Sequence, residues 1–502
     1  MNYIIAIDQS TSATKALLFD EHCHVVARSS VEHRQYYPQS GWVEHDAEEI
    51  YRNTVEAIRS LLQTSPRRVG FWRSGSPSMG GEAFSLAITN QRETVVVWNK
   101  TTGKPISNAV VWQDTRGAAL CRQLLADGIG PTVMAKSGLL IDPNFSASGV
   151  KWLLDNTPGA RDLASRGELL MGTIDTWLIW KLTAGRVHAT DTTNASRTML
   201  FNIHTMQWDD DLLALFDIPR SMMPEVKACD EIYGETTVEG LFPKPIPIAG
   251  VLGDSHGALV GQMCFDEGSG KVTYGTGSSV MANIGHEPLT PPKGLVTSVG
   301  FTAFDKTWYG FEGNIYSTGA TLKWMCDQLQ LVGKPQEMEG LATSVSDNGG
   351  VYIVPAFSGL GAPWWQNDVK GAILGLTFAT TKAHVVRAAL ESIALQVKDL
   401  VDVMAERGLS EVCADGGPTK NSFLMQLQAD LLRTPVICTE VDDASALGAA
   451  IMNGFARKQW NSFDEVIPLR KVTQVFQPQD DSQAALYEGW RQAVNTLITP
   501  SS

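Results

Sequence analysis

No two cysteines of this chain stand in a Cys-x-x-Cys spacing, and the seven present are an odd number among 502 residues. That excludes a fully paired disulfide framework and a zinc-ribbon spacing, and it fits reduced thiols in a cytoplasmic enzyme. Long hydrophobic runs are missing as well: no apolar stretch approaches the ~18 residues that a membrane-spanning helix needs. The N-terminus lacks a basic region followed by a cleavable apolar core, because Asp8 interrupts the apolar segment early. Positive charge is in deficit, with a formal net charge of −14. A chain so acidic is not expected to partner nucleic acid or an anionic membrane surface. Two nucleotide signatures fail too. "GSGKV" at 268–272 ends in Val272 where a phosphate loop needs Ser or Thr, and the place of its first glycine is taken by Phe265. No Gly-x-Gly-x-x-Gly follows a strand and opens a helix.

What is present describes a globular α/β chain. Apolar residues make up 43% and charged residues 19%, and the length exceeds what one hydrophobic core supports, so two or more domains are expected. The chain opens "YIIAIDQSTSATKALLF". Tyr3–Ile7 is short, β-rich and apolar and predicts a buried strand; Lys15–Phe19 and His24–Ser29 predict two more, joined by a turn at Asp20–Cys23. The contiguous His22, Cys23 and His24 fall in that turn, where neighbours point in different directions, so they do not read as a metal site. Between the first two strands lies a run of small and hydroxyl-bearing residues from Gln9 to Thr14. Such a turn offers backbone N–H groups and hydroxyls to a phosphate, although an ordinary polar hairpin has the same composition.

Helix and strand patterns then alternate: a helix over Ala47–Leu62 with one apolar face, strands over Phe84–Thr89 and Thr94–Trp98, and mixed patterns over Gly149–Asn156, Glu168–Leu182 and Asp209–Phe216. Residues 64–82 interrupt them with three arginines and no acid before Glu82, which reads as a solvated loop. "KVTYGTGSSVMANIG" at 271–285 repeats the form of the opening stretch, a strand, a Gly/Thr/Ser turn and a returning strand. The recurrence predicts two related domains with a boundary in 254–268.

A third turn, "CADGGPTKNS" at 413–422, runs from a strand into a helix near Asn421. Its glycines allow close backbone approach, and a helix N-terminus supplies free donors. Two acids end strands beside such turns, Asp8 after "YIIAI" and Asp254 after "IPIAGVLG". Either alone reads as a turn or cap residue. Together, one in each half, they predict a cleft for phosphoryl transfer, with nucleotide on one side and acceptor on the other.

The motifs "AIDQSTSATK" (6–15), "AITNQRETVVVW" (87–98), "AVVWQDTR" (109–116), "GTIDTWLIWKLT" (172–183), "VTYGTG" (272–277), "VPAFSGLGAPWW" (354–365) and "DGGPTKN" (415–421) span both halves in order. With them the chain resembles the FGGY family of carbohydrate kinases, its glycerol-phosphorylating members most of all. The resemblance implies two ribonuclease-H/actin-like ATPase domains, 1–256 and 257–502, with the active site in the cleft between them. It implies ATP and Mg²⁺ as cofactors, a small polyol or sugar substrate, a cytoplasmic location and a homo-oligomer. It assigns Thr11, Ser12, Lys15, Thr276 and Gly277 to the phosphates, and Gly416, Gly417 and Asn421 to the adenosine. Asp254 becomes the catalytic base, and Asp8 with Asp254 the metal-organising acids. Gln91, Arg92, Glu93 and Trp112 become the acceptor-binding set. In the same pocket Asn144, Ser255 and Ser279 stand where glycerol-phosphorylating members carry tyrosine, glutamine and phenylalanine, and Ser10 stands for a glycine of the first turn.

The expected reaction is phosphorylation of a terminal hydroxyl of glycerol or a close relative. A kinase for a four- or five-carbon polyol or ketose (erythritol, erythrulose, ribitol, ribulose) is the alternative, and a non-catalytic sugar sensor a remote one. Retention of Asp8, Asp254 and Thr276 speaks against the sensor, since no fold demands carboxylates there.

Overall fold

The computed structural model describes residues 2–64, 83–366, 368–404, 409–439, 443–479 and 482–498. The arginine-bearing segment, apart from Thr64, therefore lies outside the described residues.

The opening apolar segment forms the strand Asn2–Gln9, buried from Tyr3 onward. It pairs antiparallel with Ala13–Phe19 and parallel with Ala83–Asn90, so it is central to its sheet, which explains why both faces are apolar rather than alternating. The first sheet runs Ile232–Thr236, Ile246–Gly253, Ala83–Asn90, Asn2–Gln9, Ala13–Phe19, Val25–Glu32. The second runs Val296–Ala303, Lys306–Ile315, Ser278–Asn283, Ser269–Tyr274, Glu411–Gly416, Val436–Thr439, Val472–Phe476. Inside both lies one pattern: three consecutive antiparallel strands followed by two parallel ones. The recurrence visible at 3–19 and 271–285 is this repeated hairpin. Two strands were absent from the sequence reading: Lys306–Ile315, which completes this pattern in the second sheet, and Val296–Ala303, which extends the sheet beyond it.

Helix Ala47–Thr64 lays Ile50, Val55, Ile58, Leu61 and Leu62 against the first sheet, and Glu48 and Glu49 in its first turn suit the helix dipole. A small sheet of Glu44–His45, Ala109–Val110, Val95–Asn99 and Leu169–Thr173 packs beside it. The predicted helices and strand over 149–182 and 209–216 are present as Ser146–Asn156, Leu169–Thr173, Ile174–Leu182 and Asp210–Leu215.

Each sheet's second parallel strand leads toward a helix, Asp254–Gly261 in the first half and Ala444–Ala456 in the second. These two helices pack on each other, and Ala444–Ala456 also lies on the first sheet. Their backbones nearly touch: a Cβ on Gly448 would sit 1.9 Å from the carbonyl oxygen of Gly257. Only glycine permits that approach. A shared core including Ile4, Leu17, Leu252, Cys413, Ile437 and Ile451 continues across the seam. Among the described residues no helix is long and apolar enough to cross a membrane.

Candidate active site

The first turn, between Gln9 and Ala13, is tied by Ser10, whose backbone N–H and hydroxyl both donate to the Ala13 carbonyl, at 2.9 Å each. Ser10 thus fills the corner by closing it with its own side chain. Thr11 and Ser12 are left at the tip, Ser12 exposed. The Thr11 hydroxyl accepts a hydrogen bond from the Trp112 indole N–H at 3.0 Å, so the expected acceptor wall and the expected phosphate turn touch. In the second turn, Gly275 N–H donates to Gly277 O, while the Gly275 and Thr276 carbonyls accept from Thr318, Gly319 and Ala320. The Thr276 side chain is left exposed at the tip. In the third, Gly416 has φ +101° and lies so close to Tyr274 that a Cβ would meet its carbonyl at 2.0 Å, whereas Gly417 faces open space. Asn421 caps helix Ser422–Leu432 by accepting from Leu424 N–H, which commits its carbonyl oxygen and leaves its amide nitrogen for a ligand.

Between the turns acids converge. Asp8 is buried, and burial, opposed by Lys15 and reinforced by Asp254 and Asp443, pushes its carboxyl up to about 6. Lys15 Nζ lies 3.5 Å from Asp8 and donates to Asp443 at 2.7 Å. Burial works against the Lys15 charge, but Asp8 and Asp443 outweigh it and hold the ammonium above its ordinary value. Asp443 was not foreseen; it precedes helix Ala444–Ala456 as Asp254 opens helix Asp254–Gly261.

The acceptor side is a chain of buried charge. Arg92 Nε lies 3.0 Å from Asp254 Oδ1. Its two terminal nitrogens donate to both oxygens of Glu312, at 2.8 and 2.7 Å. Glu312 also meets Arg197 at 2.8 Å, and Arg197 Nε donates to Glu93 at 2.6 Å. Burial opposes the Glu312 charge, but Arg197 and Arg92 hold its carboxyl well below the usual range. For Glu93 burial wins and the carboxyl is raised. Arg92 and Glu93 are therefore braced in ion pairs rather than free. Glu312 and Arg197 supply the bracing that sequence reasoning missed.

Gln91 departs from expectation. Its amide donates to Gln9 and its oxygen accepts from the Thr94 hydroxyl, with 1% of the residue exposed. Both ends are spent inside the protein, so it supports the first turn and does not present its amide to an acceptor. Trp112 is 37% exposed and remains available as a wall. Asn144, just before helix Ser146–Asn156, is half-buried, its N–H donating to Asp142. Ser255 is half-buried beside Asp254, and its N–H donates to Asp254 Oδ1 at 2.6 Å.

Comparison with known proteins follows this geometry. The N-terminal domain of the FGGY family of carbohydrate kinases matches residues 3–261, and the C-terminal domain matches 270–457. Glycerol kinase 1 of Thermotoga maritima is 48% identical over 99% of this chain and 100% of its own length. The glycerol kinase of Thermus thermophilus is 46% identical over 99% of both. The crystal structure of Plasmodium falciparum glycerol kinase with ADP superposes with a TM-score of 0.92 at 35% identity, over 100% of this chain and 99% of that one. A ligand-bound xylulose kinase from Lactobacillus acidophilus shares the fold, with a TM-score of 0.88 at 21% identity, over 100% of this chain and 99% of its own. By two matched domains that take in all three turns and every strand of both sheets except Val472–Phe476, the chain belongs to the FGGY family of carbohydrate kinases.

Proposed function

We propose that the protein transfers the γ-phosphoryl group of ATP to a terminal hydroxyl of a small polyol, glycerol or a close relative. The observation that carries this is the state of Asp254. Its Oδ1 is held by Arg92 and by Ser255 N–H, while Oδ2 has no protein partner among the described residues. A carboxylate fixed through one oxygen and open at the other is arranged to take a proton from an acceptor hydroxyl. As Oδ2 takes that proton, the hydroxyl oxygen bonds to the γ-phosphorus and the bond to the ADP bridging oxygen breaks. Trp112 supplies the flat wall, and Arg92 and Glu93 the partners for the remaining hydroxyls. Thr11, Ser12, Lys15, Thr276 and Gly277 hold the phosphates from the two sheets, and Gly416, Gly417 and Asn421 receive the nucleoside.

Mg²⁺ fits this donor set. Asp8 is a buried carboxylate burdened by two acidic neighbours, a charge excess that a hard divalent cation relieves. Asp8 and Asp254 are the carboxylates that would hold the ion. When bound it neutralises charge on the phosphates.

The work is divided between two domains, 1–256 and 257–502; each sheet draws its strands from one side of that division. The cytoplasm is the proposed location. The test is Asp254→Asn in an ATP-coupled assay. General-base removal lowers kcat by about 10²–10⁴-fold while ADP binding by calorimetry persists. A variant within threefold of the wild type would remove Asp254 from the reaction.

A further inference from the structure

Behind Asp254 runs a polar chain that none of these roles uses. Lys271 is 1% exposed in the strand Ser269–Tyr274. Among the described residues no carboxylate comes within ion-pair distance of its ammonium. It donates instead to two hydroxyls, Ser279 at 3.0 Å and Thr273 at 3.3 Å. Ser279 in turn donates to the Ser255 hydroxyl at 3.3 Å. The far side of Thr273 leads to Asp415, which also accepts from Gln262 at 2.6 Å.

An ammonium has donors and no acceptor, so Ser279 accepts from Lys271, and the geometry has the Ser279 hydroxyl donating on to Ser255. Ser255 accepts that proton, and its O–H has no protein acceptor among the described residues. Ser255 and Ser279 are both only half-buried. The result is a polarised hydroxyl donor, next in sequence to Asp254, at the edge of the acceptor site. Asp254, Arg92 and Glu93 already provide partners for three oxygens, the full complement of a three-carbon polyol. Ser255 adds a fourth.

We propose that Lys271 is a positioning residue which, through Ser279 and Ser255, makes the acceptor site select a polyol or ketose of four or more carbons over glycerol. The inference rests on the kinase reading above and narrows it. Burial works against the Lys271 charge, with Asp415 and Glu312 opposing that loss from beyond ion-pair distance; an ammonium kept at that cost orients the hydroxyls it meets. The oxygen it meets is a lone-pair acceptor, a hydroxyl or a ketose carbonyl.

The experiment measures kcat/KM of the wild type for glycerol, erythritol, erythrulose, ribitol and ribulose, then the same for Ser255→Ala, Ser279→Ala, Ser279→Thr and Lys271→Met, with KM for ATP and the thermal midpoint for each. The expected wild type prefers a four- or five-carbon acceptor. In Ser255→Ala and Ser279→Ala the ratio of kcat/KM for that acceptor to kcat/KM for glycerol falls by about 3- to 10-fold, the span of one hydrogen bond. KM for ATP stays in place and Ser279→Thr, which keeps the hydroxyl, restores the ratio. Lys271→Met gives the same fall if it folds; the serine variants decide the matter if it does not. Glycerol ahead of every longer acceptor in the wild type overturns the inference and leaves the kinase reading standing. So does a ratio unmoved in both serine variants. No turnover on any acceptor overturns the kinase reading, and the inference falls with it.

Discussion

Asp8 carries a charge that the fold does not welcome. Its carboxyl is pushed up to about 6 by burial first and by Asp254 and Asp443 next, against about 4 in an unfolded chain. The folded state therefore binds the proton more tightly, and the stability linked to it is present below about pH 4 and is lost as pH rises through about 6. Asp8→Asn removes the cost. Its thermal midpoint should exceed that of the wild type at pH 8, and the gain should vanish by pH 4, while kcat drops and the Mg²⁺ requirement rises. A midpoint difference independent of pH, or an unchanged Mg²⁺ requirement, would return Asp8 to a turn role. Lys15 is neutralised from two sides, and Asp443 is the nearer. Asp443→Asn leaves more positive charge facing the phosphates. Metal-free ADP should bind about 2- to 5-fold tighter by calorimetry, the range of a partly exposed ion pair; weaker binding would show that Asp443 serves to orient Lys15. At this scale the sequence was informative where chemistry is local. Asp8 lies at the end of strand Asn2–Gln9 beside the first turn, which is visible in ten residues, whereas Asp254 follows strand Ile246–Gly253 and opens a helix where a turn was expected. Asp443 lies 428 residues from Lys15, and Glu312 lies 220 from Arg92, so their roles exist only once the chain folds. Gln91 misled for the converse reason: it stands in the right motif, but Gln9 and Thr94 consume its amide.

Among elements, the three turns were legible because each is a run of small residues after a short apolar strand, followed by a returning strand in the first two and by a helix in the third. The pairing of helices Asp254–Gly261 and Ala444–Ala456 was not, since a buried helix shows no polar face to mark its partner. Gly448 makes that pairing possible. Gly448→Ala forces the helices apart and should cost about 1–3 kcal/mol, as other overpacked contacts do, seen as a lowered thermal midpoint. Gly417→Ala is the matched control, with open space around its Cβ, and should stay within about 0.5 kcal/mol. Equal effects of the two would mean that the seam yields easily. Lys306–Ile315 was missed although it is ten residues long, because its Gly310 and Gly313 interrupt the β-rich pattern that identifies a strand.

For the whole molecule, assembly is the property the sequence left most open. Leu376 and Phe378, just beyond the strand Ala372–Leu374, are 59% and 111% exposed. The homo-oligomer that the family resemblance implies would have these two side chains to cover, and is put to the test there. Light scattering should find a dimer or larger species for the wild type and a smaller one for Phe378→Asp; a wild-type monomer at micromolar concentration would refute it. The last consequence comes from the fork of Arg92 in Glu312, which joins a residue following the strand Ala83–Asn90 to one within Lys306–Ile315, and so joins the two sheets. Removing either partner of such a buried pair leaves the other charge uncompensated, at a cost of about 3–5 kcal/mol. The halves are latched beside Asp254, at the floor of the proposed acceptor site.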